Sequence, residues 1–309
     1  VLQSFAENVI SNECKPRSPR SSGTASKSKP YVGLPRNILT PRLDNAGFMG
    51  TATLEPSSTI TDSLEEFYKT PHDSIRLELQ DLLACINALE SATTIASASS
   101  LHQRFSAFFL WWDDFAAFLF SLLSEDERHI FAALARAVPP ADFPHGIRAP
   151  ARKALRQDVQ RIVEEIDTLR VLDGESGGAG SAMDAVQRVK TLRSQGMALV
   201  EALAMYLSAK EMVFSAASRA MEKDTAGVGA RAELGVKVRL ALETKVVTAI
   251  YNAGRLNVAI YVRSLPKERA AAWVKRRVGM VQRLALGSVS KMLADRHLSK
   301  LYDVQMNCS

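Results

Sequence analysis

The sequence predicts an all-α protein, and three observations carry that expectation. Apolar residues recur at helical spacing through most of the chain after residue 60. No segment of any length alternates apolar and polar residues with the period of two that a half-buried strand needs. Beyond residue 60, Pro and Gly punctuate the periodic segments, at Thr70-Pro71, Pro139-Pro140, the Gly-rich run 173–181, Gly227, Gly229, Pro266 and Gly287. With 309 residues and 47% hydrophobic content, the chain can build a substantial core.

Taken in order, residues 1–60 read as an extended basic arm, with Pro, Gly and isolated apolar residues but no period. Asp62 and Glu65 have the spacing of a capping box and predict a short helix over about 62–69. Thr70-Pro71 is a start signal, a capping hydroxyl followed by Pro at the first helical position. The next helix carries Ile75, Leu79, Leu82, Leu83, Ile86 and Leu89 as a stripe, and the small polar run 91–100 ends it. A second helix is expected over about 101–137, stopped by Pro139-Pro140, with a break near Ser124 as an option. A third, over about 149–172, turns Val159, Ile162, Val163, Ile166 and Leu169 inward. The run 173–181 is a loop and not a phosphate cradle, because no strand precedes it and GxxxxGK[ST] is absent. A fourth helix, over about 182–222, aligns Val186, Val189, Leu192, Val200, Leu203, Leu207 and Phe214. Two or three more helices follow, one over about 231–263 and others restarting at Pro266 and running to about Tyr302. The expected domains are therefore the arm, 1–60, a four-helix bundle, 61–228, and a basic helical extension, 229–309.

The net charge of +6 is unevenly spread. Residues 1–60 hold 7 basic and 4 acidic side chains, 61–230 hold 17 and 24, and 231–309 hold 15 and 5. An acidic middle thus precedes a basic end, which points to partners more than the total does. The three cysteines are far apart and form no CxxC, so a disulfide framework is not expected and a reducing compartment is. The run 105–123 approaches the length of a membrane span, but Asp113 and Asp114 lie at its centre. Two carboxylates at mid-bilayer would cost on the order of 5 kcal/mol, so a buried bundle helix is the better expectation. Residues 14–42 are rich in Ser, Pro, Lys and Arg and contain no acid, a composition shared by organelle-targeting segments and ordinary basic tails.

Three stretches resemble one family. "HDSIRLELQDLLACINAL" (72–89) resembles the first helix of hemerythrin-like, HHE cation-binding domains. "SLLSEDERHIFAAL" (121–134) resembles their second-helix segment, and "ALAMYLSAKEMVFSAA" (202–217) their last bundle helix. The resemblance covers residues 71–222 and implies an up-down four-helix bundle with a di-iron centre. Such a centre needs imidazoles and carboxylates projecting inward from several helices. Here only His72 and Glu125 keep ligand types at matching positions. Ser121 and Leu122 stand where the family has its histidine pair, Val159 stands in the third helix, and Tyr206 and Lys210 replace His and Glu in the fourth. His72, Glu125, Tyr206 and Lys210 are thus vestigial positions, with no metal and no cofactor expected. In this reading Lys210 could take the metal's place as the charge partner of Glu125; the alternative is that Glu125 is a solvated helix-start acid and Lys210 an exposed lysine.

Other candidates are weaker. His102, His145 and His297 have no ligand-type neighbours at helical spacing and read as surface or capping residues. Asp113 and Asp114 differ by about 100° on a helix, so they point apart and do not form a catalytic pair. Neither GxSxG, HExxH, a Cys-His pairing nor a dinucleotide fingerprint is present, and a non-enzymatic protein is expected. In the basic end, Arg263, Lys267, Arg269, Lys275, Arg276 and Arg277 cluster around Trp273 and form the candidate interaction surface. It could meet the acidic bundle, another protein, an anionic membrane surface or, less readily, nucleic acid, since no RNA-binding module is recognisable.

The functional expectation is a structural or accessory subunit of a larger assembly, docking through its bundle and arm. Tail composition and a sequence pI near 9.3 point to an organelle, plastid or mitochondrion, with the cytoplasm as the alternative. The competing readings are a metal- or oxygen-binding hemerythrin-like protein with altered ligands, and a membrane-surface or RNA-binding module using the C-terminal helices.

Overall fold

Helix α1, Leu64–Ile95, begins before Pro71 and runs through it, so the expected restart at Thr70-Pro71 does not occur. An interior Pro forfeits one backbone hydrogen bond. Packing keeps the preceding turn helical all the same, because Tyr68 is buried and its ring stacks on Phe214 at 4.5 Å. The computed structural model describes residues 64–175, 182–225 and 242–306, which belong to one unit, Ile60–Ser309. The arm, Asp62 of the expected capping box, residues 176–181 and the joint at Gly227 and Gly229 lie outside the described residues, while Glu65 falls within α1.

All regular structure among the described residues is helical. Ser97 caps helix α2, Ala98–Glu125, its hydroxyl accepting from the Ser100 N–H at 3.3 Å. The break expected near Ser124 takes another form. A π-helical turn, Asp126–Ile130, leads directly into α3, Phe131–Ala137, and the Phe131 N–H reaches back five residues to the Asp126 carbonyl. Two 3-10 turns, Pro140–Asp142 and His145–Ile147, carry the chain to α4, Ala149–Glu175, and then comes α5, Ala182–Thr225. The third and fourth helices thus run about three residues past their expected ends.

Helical residues 242–253 form α6, which Gly254 separates from α7, Arg255–Tyr261. The single long helix expected over 231–263 is therefore divided. Helix α8, Lys267–Arg277, starts after Pro266, and α9, Met280–Leu286, ends at Gly287, whose φ of 63° needs a residue without a Cβ. Helix α10, Val289–Met292, passes through a second π-helical turn, Leu293–Leu298, into α11, Ser299–Met306.

Helix α1 packs most extensively on α5; α5 also packs on α4, α4 on α2, and α2 on both α1 and α11. Most residues of the stripes expected to face inward do so, Leu83 and Val186 being only half-buried: Ile75, Leu82, Ile86 and Leu89 meet Val159, Ile162, Val163 and Ile166 and also Leu192, Leu203 and Phe214 in one buried core. At Gly196 the two longest helices nearly touch, and a Cβ there would lie 2.6 Å from Ile86 Cδ1. The segment Ser99–Ala135 is long and apolar enough to cross a membrane, yet Trp111, Trp112, Phe115 and Phe118 are fully buried against protein.

The C-terminal helices close on the same core. Helices α7 and α11 both pack on α1 and α2, and Tyr261, Trp273, Leu301 and Val304 are buried with the rest. Ser74 on α1 donates to the Tyr261 carbonyl at 2.9 Å, and Ser264 donates to the Thr70 carbonyl at 3.0 Å.

Candidate functional site

Two buried ionic clusters sit inside this helical assembly, and between them they contain most of the buried charge. The first lies where the family resemblance placed the vestigial positions. Helix α5 presents Tyr206 and Lys210 one turn apart, so both side chains reach the same point on the π-helical turn. There the Asp126 carboxylate takes the Lys210 ammonium at 2.6 Å and the Tyr206 hydroxyl at 2.7 Å, both on Oδ2. All three side chains are buried. Burial, then the Asp126 charge, pushes the Tyr206 phenol well above its ordinary range and keeps it a donor.

Lys210 therefore does not hold Glu125. Consecutive helical residues point about 100° apart, and the residue aimed at α5 is Asp126. Glu125 turns back on its own turn, with Arg128 at 3.1 Å and His129 at 3.3 Å. The π-helical turn, which no residue pattern announces, sets which acid faces inward.

His72 completes this region from α1. It is fully buried, and its Nδ1 lies 2.9 Å from Glu211 Oε1, the oxygen that also accepts from Arg76 at 2.7 Å. Its Nε2 has no hydrogen-bond partner. Burial first, then the nearby Lys210 charge, lowers the His72 pKa to about 4, so near neutrality the ring is uncharged and Nδ1–H is the donor. Glu211 is held down to about 2: burial opposes ionisation, but hydrogen bonds and charge from His72 and Arg76 outweigh it.

The second cluster lies between α1, α2 and the C-terminal helices. Glu78 is fully buried and accepts from three donors: Arg263 Nη1 at 2.6 Å, His297 Nε2 at 2.9 Å and Trp111 Nε1 at 3.2 Å. The other Arg263 nitrogen, Nη2, donates to Asp81. His297 Nδ1 reaches Asp114 Oδ2 at 3.3 Å, and Lys300 bridges Asp114 at 2.6 Å and the Leu110 carbonyl at 3.0 Å.

With His297 protonated, three carboxylates face three cations. Burial penalises the imidazolium, but the Glu78 charge and hydrogen bonds to Asp114 and Glu78 raise the His297 pKa above its ordinary value. Glu78 is held to about 2 because the Arg263 and His297 charges overcome its desolvation. Asp81 goes the other way. Its burial dominates, it receives one arm of Arg263, and it sits beside the Glu78 charge.

The structure thus redistributes the sequence candidates. His297, expected at the surface, is a fully buried hub, whereas His102 and His145 are exposed as expected. Asp113 and Asp114 do point apart: Asp113 pairs with Arg170 of α4 at 2.5 Å, and Asp114 pairs with His297 and Lys300. Within the basic candidates, Arg263 and Trp273 are interior, and Arg277 meets buried Glu243 and lies 5.4 Å over the Trp273 ring. Lys267, Arg269, Lys275 and Arg276 are exposed. Glu78 was not singled out at all. An acid inside the α1 stripe is its signal in the sequence, since such a residue needs a buried cation.

Among the described residues, no three His, Cys, Asp or Glu side chains are grouped so as to hold a metal ion. A surface cleft of about 370 Å³ lies over Phe131 and Phe143 between Arg148 and Arg152. Both guanidiniums are committed there, Arg152 to Glu127 and the Ile147 carbonyl, Arg148 to the Phe143 and Ala141 carbonyls. No protein-family model matches the chain, and no curated protein or solved structure shows significant similarity to it.

Proposed function

We propose that this chain is a non-catalytic accessory subunit of a larger assembly, built on an up-down four-helix bundle of α1, α2, α4 and α5 related to the hemerythrin-like type. One observation carries the reading: beside the positions that the resemblance assigns to metal ligands, the Lys210 ammonium occupies the Asp126 carboxylate. A fixed ammonium repels a dication, and Tyr206 takes up the same oxygen. The interior charges are spent on joining helices. The docking surface would be a wider area centred on the outer face of α5, where Met197, Met205 and Met212 are more than half exposed along one side of the helix. An organellar location rests on the basic arm and pI alone.

Two measurements test this. Elemental analysis of the purified full chain should find substoichiometric transition metal, with no uptake when Fe(II) or Zn(II) is offered; one tightly held metal per chain would reject the metal-free reading in favour of a metal-binding bundle. In native extracts the chain should migrate in a complex far larger than its 33.8 kDa. Migration as a monomer throughout would reject the accessory role. Changing Met197, Met205 and Met212 to Ser should release it from that complex.

A further inference from the structure

The last turn of α8 and the whole of α9 form a surface unlike the rest of the described residues. Helix α9 packs on α8 and buries Leu286, yet turns three large apolar side chains outward. Met280 is 69% exposed, Val281 77% and Leu284 80%, the three highest values among its exposed large hydrophobic residues. Positions 280, 281 and 284 share one helical face, so the three form a contiguous apolar knob. Isolated exposed apolar residues need no explanation, whereas a cluster on a projecting element does.

The surroundings of the knob are basic. Residues 267–291 contain Lys267, Arg269, Lys275, Arg276, Arg277, Arg283 and Lys291 against a single acid, Glu268. Lys267, Lys275 and Lys291 are exposed. The Arg283 guanidinium donates to the Lys275 carbonyl at 2.7 Å and ties α9 to the end of α8, keeping knob and charge together.

We infer that the α8–α9 elbow is a peripheral anchor for an anionic lipid bilayer, in which Met280, Val281 and Leu284 enter the headgroup–acyl boundary and the exposed Lys267, Lys275 and Lys291 side chains meet lipid phosphates. Charge complementarity selects the occupant, since apolar tips ringed by cations suit a negatively charged interface with an apolar layer beneath. Size selects it too. Three side chains expose a few hundred Å² at most, short of the roughly 800 Å² per partner that a stable protein interface needs, whereas shallow insertion assisted by charge suffices for reversible membrane binding. Nucleic acid would use the cations and leave the apolar tips in water. The inference is independent of the accessory role proposed above, which rests on the bundle interior and α5.

Sedimentation of the full chain with vesicles tests it. Vesicles of phosphatidylcholine with about 30% phosphatidylserine should carry the protein down at low salt, and neutral phosphatidylcholine vesicles should not. Binding should fall at least tenfold as salt rises to about 0.5 M, where the Debye length is well below 10 Å. The pair V281S and L284S should cut binding at least tenfold with the melting temperature unchanged, because both side chains are solvated. The pair K267E and K275E should do the same. L284W offers a gain readout, a blue shift of its emission on anionic vesicles alone. No binding to anionic vesicles overturns the inference. So does binding that V281S with L284S leaves intact, which would mark electrostatic adsorption. Retention of RNA that survives V281S with L284S, with no vesicle binding, would assign the surface to nucleic acid and equally overturn it.

Discussion

The two buried ionic clusters shift a buried histidine in opposite directions. Around Asp126, a buried His72 stays neutral, its pKa lowered to about 4 by burial and by the Lys210 charge. Around Glu78, a buried His297 lies between two carboxylates and its pKa is raised. Both rings are fully buried, so burial alone does not set the state. The balance of charges does: at His72 the Lys210 charge adds to burial and outweighs Glu211, whereas at His297 the Glu78 and Asp114 carboxylates outweigh burial. The first cluster ties α5 to the middle of the chain, and the second ties the C-terminal helices to α1 and α2. Removing a partner should therefore fail differently in each.

The largest effect belongs to Glu78. Glu78→Leu strips Arg263 of one carboxylate and His297 of another, leaving cations desolvated without full compensation. A loss of about 5 kcal/mol is expected, measured by urea unfolding. Hydrogen exchange should show protection lost first in α7 and α11, whose tie to α1 runs through Arg263 and His297. A loss below about 1 kcal/mol would break the view that this cluster holds the C-terminal helices.

Next comes Lys210. Lys210→Met leaves the Asp126 carboxylate with only the Tyr206 hydroxyl, and a loss of about 3–4 kcal/mol should follow. Adding Asp126→Leu should recover most of it, because no buried charge is then left unpaired. Adding Glu125→Leu should recover none. A double-mutant cycle measures the difference, and recovery through Glu125 would reverse the assignment made from the geometry.

The pH dependence sharpens the contrast. His72 has its folded pKa depressed to about 4 from 6.5, so below pH 6.5 the unfolded chain binds the proton first. Stability should fall by about 3 kcal/mol as pH drops from 6.5 towards 4. His72→Leu should flatten that limb in urea titrations between pH 6.5 and 5, the lower bound staying above the unfolded-chain value of 4.5 at which Glu211 and Glu78 begin to contribute. His297 has the reverse sign. Its contribution is complete below pH 6.5 and is lost as pH rises through its raised folded value. His297→Gln should therefore remove a decline on the alkaline side. A single shared slope for both variants would erase the distinction between the clusters.

The helical class and the inward stripes were readable in the residue pattern because period and punctuation are local properties. Ile75 through Leu89 and Val159 through Leu169 needed nothing beyond their own spacing. Partner choice was not readable for a physical reason. His297 meets residues 183 and 219 positions away, and the π-helical turn at Asp126–Ile130 changes which of two adjacent acids faces α5. Pro71 misled for a related reason, since the stacking of Tyr68 on Phe214 outweighs a local start signal. Lys210 and Tyr206 reach one carboxylate because they lie one turn apart on one helix, while the acid they share lies on another, out of reach of any local pattern.

The smallest effect compares Asp113 with Asp114, adjacent residues with the same charge. The Asp113 side chain is 42% exposed, as is its partner Arg170, and that guanidinium also donates to the Phe109 carbonyl and lies 4.9 Å over the Phe109 ring. After Asp113→Asn, water and those contacts still serve Arg170, so the loss should be about 0.5 kcal/mol or less. Asp114 is 21% exposed and answers both the buried His297 and Lys300. Asp114→Asn should cost about 1–2 kcal/mol, since a neutral amide leaves the imidazolium with Glu78 alone. It should also weaken the alkaline decline assigned to His297, which Asp113→Asn should leave unchanged. Thermal melts at pH 6 and pH 8 on both variants decide the matter, and equal shifts would mean that His297 draws its proton affinity from Glu78 and not from Asp114.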